Sequence, residues 1–320
     1  MPFLFERGKE NIKFNVIKFD NQFVRVDGLD FFGPYFESSN GRFLFAWSDF
    51  APAMGVGGFR EKGLGAFVLA EERKVIWTGQ AERPNDGKVG DNGVFILNDW
   101  MLGDELKGTF LAFDKAGNLL IRHHFTANLY NNGISKNGEF AVCQLCKSDT
   151  KDGGTLAFFD IKNRKLLWQK EPDTGWADSY DIDTACFRLL LRYRDLGEIA
   201  YGFDGALIDC EKWEKISFDR ATGFELHDQA KARFAHAKET QDEKEYEAVL
   251  GLLGIALQRG TENYPEAQAR IYRTMGEIKE FLGRSREALL DYEKALSLNP
   301  KVGLKKKVTS MKVVQGLTKG

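Results

Sequence analysis

The apolar positions of this chain change period once. As far as about residue 225 they come in short runs bounded by glycine, asparagine and aspartate, the pattern of β-strands and turns. From Leu226 onward they recur every three to four residues, the spacing of one helical face. The pattern predicts two domains, a β-rich one over residues 1–222 and a helical one over 223–320. A chain of 320 residues is long enough for each to bury its own core.

The β-rich part repeats itself. Residues 65–69 lead into 74–77, 108–114 into 119–121, 154–160 into 165–168, and 197–204 into a degenerate 206–209. The first residues of these hairpins, Gly65, Gly108, Gly154 and Gly197, recur at roughly 43 to 46 residues, a period that fits four-stranded propeller blades. Between the hairpins lie further strands. Asn40-Gly41, Asn92-Gly93 and Asn137-Gly138 each precede a continuous apolar run; Asn-Gly supplies the positive φ of a tight turn, and such a run suits a strand buried on both faces. Phe187 to Leu191 takes that place in the fourth unit without the glycine turn. An N-terminal pair, residues 12–19 and 23–26, closes the ring, caps it or begins a fifth blade.

With Asp114, Asp160 and Asp204 ending the first strands of hairpins and Trp77 or Trp168 ending second strands, residues 12–215 resemble the WD-repeat and pyrroloquinoline-quinone-type propellers. The resemblance implies a propeller of four to five blades. A β-sandwich or an open curved sheet would also accommodate these strands.

In the helical part, Ala230, Phe234 and Ala237 share one face, and Asp228 is placed near that helix's N-terminus. Tyr246, Val249, Leu250, Leu253 and Leu257 mark a second helix, stopped near Gly260, and Tyr264-Pro265-Glu266 opens a third. Over residues 269–302, Tyr272, Met275-Gly276, Gly283, Ala288, Tyr292, Ala295 and Pro300 resemble one tetratricopeptide repeat. Small residues let two helices approach, aromatics fill the gap, and proline ends the second helix. Lys279 departs from the family, which prefers an aromatic there. A last helix over 302–314 reads as a cap, with Lys305, Lys306, Lys307 and Lys312 serving solubility and dipole compensation. The resemblance implies ligands along the first helix of the repeat, where Arg270, Arg273, Glu277, Glu280 and Phe281 face outward; an ordinary solvated helix face carries the same residue types.

Composition narrows the classes. Aromatic residues are 13% of the chain, and the 26 phenylalanines concentrate before residue 225, in keeping with a β core. A formal charge of −2 gives no general attraction to nucleic acid or acidic membranes, and binding through the lysine tail would weaken steeply with salt. No eighteen apolar residues run together, the N-terminus lacks a signal pattern, and four cysteines make no disulfide framework, so a cytoplasmic protein with reduced thiols is expected.

Candidate chemistry is sparse. Cys143-x-x-Cys146 falls in a predicted strand with its side chains on opposite faces, which favours packing over metal or redox duty. His123-His124 end a strand, and His227 and His236 lack ligand spacing on one helical face. The run Gly55-Val56-Gly57-Gly58-Phe59-Arg60-Glu61-Lys62-Gly63 reads as a blade loop, since it lacks the ending of a phosphate loop. The acidic stretch 173–183 does not match a calcium loop.

These readings lead to a non-enzymatic module that binds a specific protein partner, with neutralisation of a toxin as its sharper form. It needs no cofactor or metal, engages neither nucleic acid nor membrane, and is monomeric without its partner. Trp47, Asp49, Arg60, Trp100 and Trp176 in blade loops, and the five outward residues of the repeat, are the expected contact points. The rival is a hydrolase built from acids around a central channel, with Asp49, Asp99 and Asp181 as candidates, which requires two converging carboxylates, one with a raised pKa.

Overall fold

The computed structural model describes residues 15–18, 20–29, 31–49, 63–101 and 106–316. The chain divides into two compact units, Met1–Trp213 and Glu214–Gly320.

The first unit consists, among the described residues, of four antiparallel sheets in sequence order. The first sheet runs β1 (Val16–Lys18), β2 (Phe23–Val26), β3 (Phe31–Glu37), β4 (Phe43–Ser48), β5 (Gly65–Glu71) and β6 (Lys74–Ala81). The second holds β7 (Pro84–Val89), β8 (Phe95–Asp99), β9 (Gly108–Phe113) and β10 (Leu119–Phe125). The third holds β11 (Leu129–Ile134), β12 (Phe140–Leu145), β13 (Leu156–Asp160) and β14 (Lys165–Lys170), and the fourth β15 (Ser179–Asp183), β16 (Arg188–Tyr193) and β17 (Gly197–Gly202).

The continuous apolar runs become strands buried on both faces because they lie between two cores. In β4, Phe43, Phe45 and Trp47 face the second sheet with Phe95, Leu111 and Phe113, while Leu44 and Ala46 face the other way. That other face is covered by the sheet itself: Val16, Val24, Val26 and Phe31 from β1–β3 pack over Leu44, Ala46, Val68 and Ala70. The N-terminal pair therefore joins the first sheet and curls across it, and the Val16 N–H reaches back to the Arg73 carbonyl at 2.8 Å. A second core, with Phe110, Leu129, Cys143 and Phe159, lies between the second and third sheets. Phe140 and Phe158 of the third meet Phe203, just after β17.

The Asn-Gly segments are the turns the sequence predicts. In two of them a serine three residues before the glycine completes the turn: the Ser38 hydroxyl donates to Asn40 Oδ1 and accepts the Phe43 N–H, and Ser135 does the same with Asn137 and Phe140. The tryptophans that end strands have an inter-sheet job. A Cβ on Gly117 (φ +80°) would lie 1.9 Å from Trp77 Nε1, so the indole of the first sheet rests on the bare turn of the second. Trp168 repeats this on Gly205 of the fourth sheet, and its Nε1 donates to the Phe203 carbonyl at 3.0 Å.

Helix α1 (Cys210–Arg220) precedes the first helix expected from the periodicity and buries no residue, its one half-buried face being Trp213, Ile216 and Ser217; the division between the units falls inside it. The helical unit continues with α2 (Gly223–Thr240), α3 (Glu243–Ala256), α4 (Pro265–Phe281), α5 (Ser285–Leu298) and α6 (Lys305–Val314). Helix α2 starts earlier than Leu226, at a capping box in which the Thr222 hydroxyl takes the Glu225 N–H and Glu225 takes the Thr222 N–H. Asp228 is consequently past its first turn.

Two cores hold this unit. Leu226, Ala230, Phe234, Tyr246, Val249 and Leu253 join Ile271 and Ile278, and Ala269, Ala288, Tyr292 and Ala295 join Leu304 and Val308 of α6. Tyr292 is fully buried against Gly276, where a Cβ would sit 2.5 Å from the ring. Lys279 reaches Asp291 across α4 and α5 at 2.7 Å. Lys305–307 occupy the first turn of α6, the end where cations oppose the helix dipole, so dipole compensation is not their role; Lys307 instead pairs with Glu280 and covers the Tyr292 ring.

Candidate functional site

In the β unit, strand β7 gathers three of the residues chosen from the sequence. The Arg83 side chain, just before β7, places Nε 3.2 Å from Asp49 Oδ2 and its guanidinium 5.3 Å from the Trp100 ring centre. Five residues on, Lys88 Nζ lies 2.6 Å from Asp86 and within 5.2 and 5.9 Å of the Phe36 and Trp47 ring centres. Each cation is thus held between a carboxylate and an aromatic face, half-buried, where water screens the attraction less. Trp47 is only 7% exposed and belongs to the core of the first two sheets, so its indole is not presented on a loop. Trp100 is fixed by donation from its Nε1 to the Leu129 carbonyl at 2.8 Å. Arg60 and the glycine-rich run as far as Lys62 lie outside the described residues.

Asp99 organises this group through the backbone. Its carboxylate accepts the N–H of Arg83 at 2.7 Å, of Met101 at 3.1 Å and of Glu82 at 3.3 Å, so it ties two loops together. Burial pushes its pKa up, against the three N–H donors that pull it down. Asp49 is ion-paired to Arg83, and Asp181, on the fourth sheet, to Arg192 at 3.0 Å. Asp49 and Asp99 thus meet the same residue, Arg83, through its side chain and its backbone N–H, while Asp181 lies on another sheet with Arg192.

Trp176 belongs to another contact set: it stacks on the exposed Tyr130 with ring centres 5.0 Å apart, next to the Asp178–Arg194 pair. The acidic stretch is taken up in this way, with Asp173 on Lys170 and Asp183 accepting the Ala185 and Cys186 N–H groups. Cys143 is buried in the second core, which pushes its thiol pKa well up, and Cys146 is half-buried. His123 packs on Phe125 and Phe159 with its pKa lowered by burial, and His124 Nδ1 meets Thr109 Oγ1 at 2.7 Å. Among the described residues, no three His, Cys, Asp or Glu side chains gather as a metal set.

In the helical unit the five outward residues of α4 separate by contact. Arg273 pairs with Glu277 at 2.9 Å and donates to the Val302 carbonyl, and Glu280 takes Tyr292 and Lys307. Phe281 turns the other way, edge-on to Phe234 and near Lys238. Arg270 alone has no hydrogen-bond or ion-pair partner for its guanidinium among the described residues, and it lines a cleft of about 400 Å³.

That cleft is walled by Phe224, His227 and Lys231 of α2 and by Tyr264, Glu266 and Arg270 at the start of α4. The α2 residues stand three, four and seven apart, one stripe of a helix. Phe224 and Tyr264 are exposed and meet edge to face at 5.4 Å, and Lys231 is paired with Asp228 at 2.6 Å. His227, nearly buried, sets Nε2 3.2 Å from Thr274 Oγ1 of α4. Sequence reasoning set His227 aside as a metal ligand; the stripe Phe224, His227, Asp228, Lys231 was the signal available. Arg83 and Lys88 left no comparable signal, because their meaning lies in partners from other strands.

No family model matches the sequence, and no curated protein matches it. Among solved structures, a crystal structure of Kluyvelomyces marxianus Hsv2 superimposes with a TM-score of 0.37 at 9% identity. The match covers 61% of this chain and spans 58% of the length of that one. No helix among the described residues is long and apolar enough to cross a membrane.

Proposed function

We propose that the protein is a non-catalytic module that binds a protein partner. In this reading the β unit is a propeller-like body, its four sheets acting as blades, and α2–α5 are two tetratricopeptide-like hairpins with α6 as their cap. The observation that carries it is the cleft of the helical unit, where Arg270, whose guanidinium has no partner among the described residues, stands near the exposed pair Phe224 and Tyr264. Aromatic and arginine side chains of this kind dominate the energetics of protein interfaces. The test is affinity purification of the full chain at mild salt, alongside a chain carrying Tyr264→Ala and Arg270→Glu. A stoichiometric partner captured by the first and lost by the second is expected; recovery of no protein by the unaltered chain would overturn the reading.

A further inference from the structure

The cleft between α2 and α4 contains a hydrogen-bond order that fixes its chemistry. Thr274 Oγ1 donates to the Arg270 carbonyl at 3.1 Å, so toward His227 it can only accept. The imidazole proton is thereby assigned to Nε2, and the neutral ring carries a bare lone pair on Nδ1, which has no partner among the described residues. The charges around this ring are Asp228 and Lys231 on α2, and Glu266 and Arg270 on α4 beside the Tyr264 phenol. Asp228 and Lys231 cancel as an ion pair. Glu266 sits in the first turn of α4, where the positive end of the helix offsets it. The Arg270 guanidinium is the cation left without a hydrogen-bond or ion-pair partner among the described residues, with the Phe224–Tyr264 pair in the same cleft wall.

Resting on the protein-binding reading, we propose that this cleft takes an acidic peptide segment of the partner, and that His227 makes the binding proton-dependent. A carboxylate of the segment pairs with Arg270 and His227, while an adjacent aromatic side chain packs on Phe224 and Tyr264. In the free protein, burial and then the neighbouring cations keep the imidazole neutral. A bound carboxylate opposes both effects, so the complex takes up a proton on Nδ1. Affinity therefore rises as pH falls through the titration of the bound state and levels off below that of the free state. A rise of one pKa unit on binding gives about a tenfold gain.

The test uses the full chain and two probes, acetyl-Phe-Glu-amide and acetyl-Phe-Gln-amide, titrated by NMR shift changes at pH 7.5 and 6.0, with circular dichroism to verify folding. Expected are saturable binding of the glutamate peptide, a gain of at least about threefold at the lower pH, and much weaker binding of the glutamine peptide. Arg270→Gln should remove the preference for the carboxylate. His227→Gln, which keeps a donor for Thr274, should remove the pH dependence. Equal binding of both peptides, no binding of either, or a pH dependence that survives in His227→Gln overturns the proposal; so does saturation by acetate alone, which would make this a bare anion site. Partner capture that persists in Arg270→Gln while peptide binding is lost sinks this assignment and leaves the protein-binding reading standing.

Discussion

Lys279 Nζ stands 2.7 Å from Asp291 Oδ2, joining α4 to α5. Both side chains are largely buried, at 15% and 11% exposure. The contact is close enough for an ion pair, but the carboxylate oxygen lacks an aligned hydrogen-bond donor. Burial accordingly pushes the Asp291 carboxyl up, and Lys279 pulls it back only in part. An ion pair of this kind resists loss of one partner far more than loss of both. Asp291→Ala should destabilise the helical unit by about 3 kcal/mol, whereas Lys279→Met with Asp291→Leu should be near neutral. Urea unfolding followed by far-ultraviolet circular dichroism measures the difference.

Gly276 owes its place to Tyr292, whose ring comes within 2.5 Å of a Cβ there. Gly276→Ala should cost the helical unit about 1–3 kcal/mol despite alanine's better helix propensity, because the close-packed ring has to move. A rise in melting temperature would contradict the packing account.

Gly117 has a double requirement, a φ of +80° and room for the Trp77 indole. Gly117→Ala should lower the stability of the β unit by about 2 kcal/mol, through strain and displacement of the indole. Tryptophan fluorescence should shift to the red before unfolding, and an unchanged spectrum would argue against the Trp77 contact.

His227 ties stability to pH. Burial is the largest cause of its lowered pKa, followed by Lys231 and Arg270. The native state then resists a proton that the unfolded chain accepts near pH 6.5. The His227 contribution is therefore intact above that value and is lost as pH falls through the lower native pKa. The melting temperature of the helical unit should drop between pH 7.5 and 5.5, and less so in His227→Gln. Equal slopes in the two chains would remove His227 as the cause.

Periodicity by itself determined much of this protein. The spacing from Leu226 onward marked the helical region, because side-chain direction repeats every two residues in strands and every 3.6 in helices, although the first helix already begins at Cys210. The Asn-Gly turns were legible because they depend on neighbours in sequence, and the buried runs and the small residue at Gly276 because their residue types leave a local mark even though their partners, such as Tyr292, are distant. Helix α1 was missed, since its short face of Trp213, Ile216 and Ser217 is only half-buried and offers few apolar positions. Tertiary structure alone decided what the N-terminal strands cover, why Lys279 is tolerated, and that Asp99 is a backbone clamp. It also decided that Arg83 and Lys88 meet Asp49, Trp100 and Trp47, and that Arg270 has no partner for its guanidinium among the described residues while Arg273 and Glu280 are taken up. Those outcomes depend on residues far apart in sequence, and pairing across such distances is set by how sheets and helices pack, which no local pattern encodes.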